Sequence, residues 1–319
     1  MTTAWVRPVG RALGARLVQA ALVALLVGVL AFLLMQSLPG DVAMRIAAGR
    51  YGMDLVSAAA ADQVRTELGL DRPWPVQLLD WLSRIVRLDL GVSLVTGDTV
   101  VEELRIQLGH TLVLSVAALG IAVLVGPPVG FALGLSAGST ADRLGLLVAA
   151  ALRALPPFVL GLLLVLLFAL QLGWLPPAGF EGPRELVLPA LTLGLGLAAT
   201  ASRVARDATV AVVASPFFAF ARWKGLSDRQ ALLRHGLRNA AVPVVAYLGV
   251  QLAWLIEGVV VVESLFAWPG LGHALVHAIF SRDVPMLQGA ALVLGVLLVG
   301  LNMIVDLVCA AIDPRSRAA

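Results

Sequence analysis

The sequence predicts an all-α integral membrane protein with six transmembrane helices. Its 319 residues are 60% hydrophobic and only 13% charged, and the mean hydropathy is +0.93. A water-soluble domain is about one quarter charged, and its surface-to-volume ratio does not allow so much apolar side chain to be buried. The lipid bilayer is therefore the expected solvent, and the backbone in lipid must pair its polar groups within helices.

Six apolar stretches approach the roughly 20 residues that a helix needs to cross a bilayer. The predicted spans, in chain order, are Leu17–Met35, Thr111–Leu135, Leu144–Leu172, Leu186–Ser202, Asn239–Val262 and Val284–Val305. The first follows Arg7, Arg11 and Arg16, as a signal peptide would. Its apolar run is too long for a signal peptide, however, and no small-x-small cleavage site follows it, so we expect a retained helix.

Lysine and arginine are concentrated between the fourth and fifth spans, where they outnumber the acidic residues. The charged residues there are Arg203, Arg206, Arg222, Lys224, Arg229, Arg234 and Arg238, beside Asp207 and Asp228. Because cytoplasmic loops carry the positive excess, this connection and both termini are expected in the cytoplasm, which an even number of spans allows. Residues 38–109 then lie outside the cell, and helix-like spacing in 56–70 and 76–90 predicts a helical insertion there.

These assignments divide the chain into three parts. Residues 1–37 form a cytoplasmic N-terminus and the first span, and residues 38–109 form the extracytoplasmic insertion between the first two helices. Residues 110–319 form a core with spans two to six. That core includes the cytoplasmic segment 212–238 and a cytoplasmic C-terminus.

Segment 212–238 has the start and stop signals of two short helices. In the first, Ser215 is predicted to accept a backbone N–H as the N-cap, with Pro216 at the first helical position. Gly225 is expected to end this helix in the left-handed conformation. Ser227 with Gln230 predicts a capping box that starts the second helix.

The first of these two helices carries aromatic side chains between basic ones, in the run 217–224. One interpretation is an amphipathic helix that lies on anionic lipid. The other is a docking helix presented to a soluble partner, because aromatic and arginine side chains are the anchors that protein grooves recognise. The predicted caps make the helix rigid and favour the docking interpretation.

Motifs along nearly the whole chain are typical of one membrane family. They are, in order, Leu38-Pro39-Gly40-Asp41, Leu68-Gly69-Leu70-Asp71-x-Pro73, Asp89-Leu90-Gly91-x-Ser93, Ala219-x-Ala221-Arg222-x-Lys224-Gly225-Leu226, Arg234-His235-x-Leu237-Arg238-Asn239-Ala240-x-x-Pro243, Glu263-Ser264-Leu265-Phe266-Ala267-Trp268-Pro269-Gly270-Leu271-Gly272, Arg282-Asp283-x-Pro285, Asn302-x-x-x-Asp306 and Asp313-Pro314-Arg315. With them the chain resembles the permeases of peptide- and nickel-type ABC importers, in the dipeptide/oligopeptide B branch. It departs from the family pattern at Phe220, Trp223 and Glu257, where small or, at the first two positions, polar residues are usual.

The resemblance implies the type I ABC importer permease fold, with 212–238 as the coupling segment that contacts a cytoplasmic ATPase. The coupling residues it implies are Phe217, Ala219, Ala221, Arg222, Lys224, Gly225, Arg234, His235, Arg238, Asn239 and Pro243. The implied partners are a second permease, two ATPase subunits that bind ATP and magnesium, and an extracytoplasmic binding protein, at the bacterial inner membrane. The chain itself is expected to hold no cofactor. The implied cargo is a di- or oligopeptide or a related small solute such as a nickel complex.

Two glutamates of the fifth span are candidates for the translocation path, because ionisable side chains within spans mark functional sites. Glu257 lies inside the apolar run, where it either lines the path or makes a hydrogen bond between helices. Glu263 matches a family position near the end of the span, where a structural pairing is the alternative role.

Other functions lack their motifs in this sequence. It contains no G-x-x-x-x-G-K-[ST] loop, no H-E-x-x-H and no G-x-S-x-G, so neither an ATPase nor a common hydrolase is predicted. Its one cysteine and four histidines predict no metal site, although His273 and His277 are one helical turn apart. The uneven placement of basic residues does not indicate nucleic-acid binding. The alternatives are an ion-coupled secondary transporter, which would have more spans and inverted repeats, and a membrane-embedded enzyme.

Overall fold

The computed structural model describes residues 6–37, 40–51, 57–67, 69–87, 89–281 and 283–312, which are predominantly helical. The helices are α1 (Val6–Ser37), α2 (Val42–Tyr51), α3 (Ala58–Glu67), α4 (Trp74–Val86), α5 (Val100–Leu135), α6 (Thr140–Ala154), α7 (Pro157–Leu164), α8 (Val187–Val213), α9 (Pro216–Trp223), α10 (Asp228–Ala231), α11 (Leu237–Leu265), α12 (Leu271–Ser281) and α13 (Val284–Ile312). Two π-helical turns, Val165–Gln171 and Leu232–Gly236, follow α7 and α10. The predicted all-α class is confirmed.

The chain divides into two compact units. The first comprises Met1–Thr111 and Pro269–Gly300, and the second comprises Leu112–Trp268 and Leu301–Ala319. This division cuts α5 and α13, and so it does not coincide with the three parts predicted from the sequence.

The first unit contains small helices that pack against one another and against longer ones. Helices α3 and α4 lie on the stretches 56–70 and 76–90, whose spacing predicts helices. Trp81 of α4 packs on α1 at Gly28, where an added Cβ would lie 2.8 Å from the indole ring. The buried Ser93 hydroxyl donates to the Asp283 carboxylate at 2.5 Å, and Asp283 accepts the backbone N–H of Met286 at 3.2 Å. This contact joins the start of α13 to the segment before α5.

In the second unit, α5 approaches α8 through three glycines spaced four residues apart. An added Cβ at Gly130 would lie 2.1 Å from the backbone oxygen of Ser202. The equivalent atoms at Gly126 and Gly134 would lie 2.8 Å from the Ala198 oxygen and 2.5 Å from the Thr209 Cβ. Only glycine lets two helix backbones come this close, as in the small-xxx-small contacts of membrane helices.

The third predicted span, Leu144–Leu172, is broken in the structure. It consists of α6 and then α7 with its π-helical turn, and the two parts are bent by 105°. The break is at Leu155, whose backbone is extended (φ −76°, ψ 126°) because the residue before a proline is disfavoured in the α conformation. The two prolines that follow, Pro156 and Pro157, therefore separate two helices instead of kinking one.

The fourth predicted span extends further than expected. Helix α8 continues from Val187 to Val213, so Arg203 and Arg206 lie on it and not in a loop. Apolar side chains beyond residue 202 still contact the protein interior, which keeps this end helical.

Among the described residues, three helices are long and apolar enough to cross a membrane: α5, α8 and the part Val284–Ile304 of α13. The bent α6–α7 pair makes four if it is counted as one span. Helices α1 and α11 are continuous over 32 and 29 residues, but some of their side chains lie outside the described set. A multi-pass membrane protein is supported, and the number six stays a prediction.

The glycine contact between α5 and α8 predicts position-dependent effects of alanine. Gly130→Ala forces the helices apart and should lower the free energy of unfolding by about 1–3 kcal/mol. Gly120→Ala on the same helix is the matched control, because an added Cβ there meets nothing within 4 Å. Alanine also favours the helix by about 1 kcal/mol over glycine. Thermal unfolding of the purified complex measures both, and equal stability of the two variants would contradict the close contact.

Candidate functional site

Helix α9 is seated on the protein by one side only. Phe218 is fully buried and Ala221 is buried, in an apolar cluster with Val212 and Leu232. On the other side the aromatic residues Phe217, Phe220 and Trp223 are exposed, and Trp223 has 85% of its surface accessible. The helix therefore presents an aromatic ridge, Phe217–Phe220–Trp223, from a fixed base.

The prediction that the Ser215 side chain caps α9 is wrong. Proline at residue 216 does open the helix, but the Ser215 side chain accepts no N–H from it. The hydroxyl instead donates to the carbonyl oxygen of Val212. Helix α8 ends at Val213, two residues before Ser215, and the Val212 carbonyl also accepts the Ser215 backbone N–H at 3.0 Å, so Ser215 helps to satisfy the end of α8.

The predicted stop of α9 at Gly225 is confirmed. Gly225 has φ +85°, and its N–H donates to the Arg222 carbonyl at 2.8 Å while the Leu226 N–H donates to the Ala221 carbonyl at 3.3 Å. These two bonds form a Schellman motif. An added Cβ at Gly225 meets nothing within 4 Å, so glycine is needed for its backbone conformation and not for space.

The turn between α9 and α10 is locked by side chains. Ser227 and Gln230 form the predicted capping box, with hydrogen bonds of 3.3 and 3.1 Å. Arg222 at the end of α9 donates two hydrogen bonds to Asp228, at 2.6 and 2.8 Å. The Lys224 ammonium lies 4.6 Å from the centroid of the Phe220 ring. The two short helices therefore form one rigid unit.

The chain then continues through a π-helical turn into α11. Gly236 in this turn packs against α8, because an added Cβ would lie 2.8 Å from the Val212 side chain. Of the residues that the resemblance implies for coupling, those exposed are Phe217, Ala219, Arg222, Lys224, Gly225, Arg234, His235, Asn239 and Pro243. Ala221 faces inward, and the side chain of Arg238 lies outside the described set.

An ion pair that the sequence reasoning missed lies near the end of α8. Arg206 donates to both carboxylate oxygens of Asp142, at 3.0 and 2.8 Å, and the Gly138 N–H donates to the same carboxylate at 2.8 Å. The Asp142 side chain is buried, and Ser139 caps α6 by accepting the Asp142 N–H at 3.2 Å. Ser139 followed by an acidic residue indicates a helix start, but nothing local indicates a partner 64 residues away.

The remaining predicted groups are on other helices, α11 and α12. Glu263 is fully buried in α11, and the side chain of Glu257 lies outside the described set. The rings of His273 and His277 have centroids 4.5 Å apart. Within the described part of the chain, no group of three histidine, cysteine or carboxylate side chains is placed to hold a metal ion.

Comparisons with known proteins identify the family of this chain. Residues 126–318 match the family described as binding-protein-dependent transport system inner membrane component, and residues 10–115 match the N-terminal part of the same membrane component. The chain is 39% identical to the glutathione transport system permease protein GsiC of Pectobacterium atrosepticum over 293 residues, which is 92% of this chain and 94% of the relative.

Two further relatives carry the same name. The protein from Salmonella typhimurium is 38% identical over 293 residues, and that from Escherichia coli strain K12 is 37% identical over 292 residues. Both alignments cover 92% of this chain and 94% of the relative. Such permeases work with a solute-binding protein and an ATPase and are transport subunits, not enzymes. The chain belongs to the family of binding-protein-dependent transport system inner membrane components, and it is a permease subunit of an ABC importer in that family.

Proposed function

We propose that this permease pairs with a second, similar permease to import a small peptide such as glutathione, and that α9 is its contact with a cytoplasmic ATPase. The observation that carries the proposal is the aromatic ridge Phe217–Phe220–Trp223 on a helix that is fixed at its base and at its C-terminal turn. Large aromatic side chains at such exposure need a partner surface, and they supply most of the binding energy in protein interfaces.

A protein groove fits α9 better than a lipid surface does. Helix α9 has only 8 residues, and its position is set by the Schellman motif and the Arg222–Asp228 pair. A helix that binds lipid gains by adjusting its depth and tilt, which these contacts prevent. A preorganised helix loses little conformational entropy when it enters a groove.

Force applied to α9 would be transmitted to the helices above it through three contacts. Phe218 anchors α9 in the apolar cluster, α8 leads into α9 with two residues between them, and the Asp142–Arg206 pair joins α8 to the start of α6. Because packed elements move as rigid bodies, closure of two ATPases on ATP would tilt the attached helices and alternate the access of the path. ATP and magnesium belong to the ATPases in this proposal.

The six-span topology with both termini in the cytoplasm is part of the same proposal. The excess of basic residues around α9 supports a cytoplasmic location for it. The α2–α4 segment would then be extracytoplasmic, on the side where a binding protein delivers the solute.

Support for the cargo comes from the relatives. Three proteins that align over 92% of this chain are named as glutathione transport permeases, and glutathione is a small peptide. Glu257 and Glu263 remain proposed contributors to the path, although Glu263 is fully buried in this conformation and would have to become accessible in another.

The docking proposal predicts a loss of ATPase binding when the ridge is truncated. Phe220→Ala with Trp223→Ala should weaken the association of the ATPase by roughly thirtyfold or more, which corresponds to a hot spot of about 2 kcal/mol. Phe280→Ala is the matched control, because Phe280 is a similarly exposed aromatic residue, 82% accessible, far along the chain on α12. Affinity of the purified permease for the ATPase measures the effect. Equal retention of the ATPase by both variants would argue for the lipid interpretation.

The transmission proposal predicts that the Asp142–Arg206 pair is needed for coupled transport. Asp142→Asn leaves Arg206 partly buried without this partner and should reduce solute imported per ATP hydrolysed by roughly tenfold. Asp207→Asn is the control, because Asp207 also contacts Arg206 but is largely exposed, and exposed pairs contribute little. Reconstituted transport and ATPase assays give the ratio. A ratio as high in Asp142→Asn as in Asp207→Asn would show that the pair has no part in coupling.

The cargo proposal predicts ATP-dependent uptake of glutathione by vesicles that contain the complete complex. Uptake should require the binding protein and should be competed by unlabelled glutathione, but not by a nickel–histidine complex. Radiolabelled glutathione measures it directly. ATP-dependent uptake of the nickel complex, with no uptake of glutathione, would replace peptide with metal chelate as the cargo.

A further inference from the structure

A cavity of about 300 Å³ lies in the second unit, and its walls come from the α6–α7 bend, α8 and α11. Most of the lining is apolar, from residues such as Leu160, Leu193 and Leu255. The polar side chains of the lining are Arg153, Thr192 and Gln251. An apolar cavity with a few polar groups and a volume in this range is the usual form of a small-molecule site.

Helix periodicity explains why these residues share one cavity. On α11, Gln251, Leu255 and Gly258 follow the i, i+4, i+7 spacing of one helix face. On α8, Thr192 and Gly196 are one turn apart. An added Cβ at Gly196 would meet nothing within 4 Å, so this position borders open space instead of a packed neighbour.

The Gln251 side chain is polar and more than nine-tenths buried, with 8% of its surface accessible. It lines the cavity from α11, where its amide can donate N–H groups to a bound solute. The Thr192 hydroxyl, in contrast, donates to the Leu188 carbonyl at 2.8 Å.

Arg153 gives the cavity its charge. It lies in the last turn of α6, directly before the bend at Leu155, and its side chain is exposed. No carboxylate of the described side chains pairs with it. The end of a helix favours a cation, which accounts for the charge at Arg153. It does not account for the open space at Gly196 beside it in the cavity lining.

We propose that this cavity binds the carboxylate of a small peptide in transit. The guanidinium of Arg153 and the amide N–H₂ of Gln251 are the donors for the carboxylate oxygens, and the leucine walls receive an apolar side chain. A cationic group is disfavoured at the same place by the charge of Arg153. This assignment rests on the proposed import of a peptide and adds the site and the group it recognises.

The first experiment measures glutathione uptake by the reconstituted complex. Arg153→Gln should lower uptake by about tenfold at limiting substrate, the effect expected from losing one charge-assisted contact. Arg153→Lys should lose less, because it keeps the charge and loses only the fork geometry. Arg143→Gln removes an exposed cation from the same helix, outside the cavity, and should match the wild type. The assignment would be overturned if glutathione uptake by Arg153→Gln equalled that by Arg143→Gln. It would also be overturned if uptake by Arg153→Lys were as low as uptake by Arg153→Gln.

The second experiment measures the labelling rate of a cysteine in the cavity and does not depend on transport. Gly196→Cys in a Cys309→Ser background places one thiol in the open space, since Cys309 is the chain's single cysteine. The complete complex should react faster with an anionic than with a cationic methanethiosulfonate, and Arg153→Gln should reduce the anion preference by about tenfold. S-methylglutathione, which has neither a thiol nor a disulfide to exchange with the cysteine, should slow the reaction. An absent charge preference, or no protection by S-methylglutathione, would overturn the site. Wild-type glutathione uptake with either result leaves the proposed function intact, whereas no uptake of any peptide by the wild type rejects that function itself.

Discussion

The close contact between α5 and α8 fixes the position of α8, and with it the cavity, Arg206 and α9. An atom added at Gly130 would overlap a backbone oxygen of α8, so the distance between the two helices is set by the absence of side chains. Helix α8 borders the cavity near Thr192, carries Arg206 further along, and leads into α9. Because one helix carries all three, its placement against α5 determines where each of them lies.

Two faces of α8 are packed differently. One face meets α5 closely from Gly194 to Thr209, and an added Cβ at Gly194 would lie 2.9 Å from the backbone oxygen of Ala118. Gly196, on another face, borders the open space of the cavity. In the proposed mechanism, the closely packed face moves with α5 as a rigid body when α9 is displaced, since dense packing resists local deformation. The face at Gly196 then changes the width of the cavity.

Features that depend on neighbouring residues were predictable, and those that depend on distant ones were not. The all-helical class, the left-handed stop at Gly225 and the Ser227–Gln230 box follow from composition or from residues within one turn. The bond made by Ser215 depends on where α8 ends, which apolar spacing does not define. The Arg206–Asp142 pair and the cavity lined by Gln251 depend on helices that meet only after folding. The prolines at 156 and 157 disfavour a continuous helix across the third predicted span, but the 105° angle is set by the packing of both parts.

The aromatic ridge also has a consequence for assembly. Under the proposed docking, a subunit made without its ATPase presents Trp223 and Phe220 uncovered on a rigid helix, and exposed apolar surface of this kind promotes self-association. Under that proposal, balanced synthesis of the two proteins keeps the ridge covered and limits aggregation of the membrane-embedded subunit.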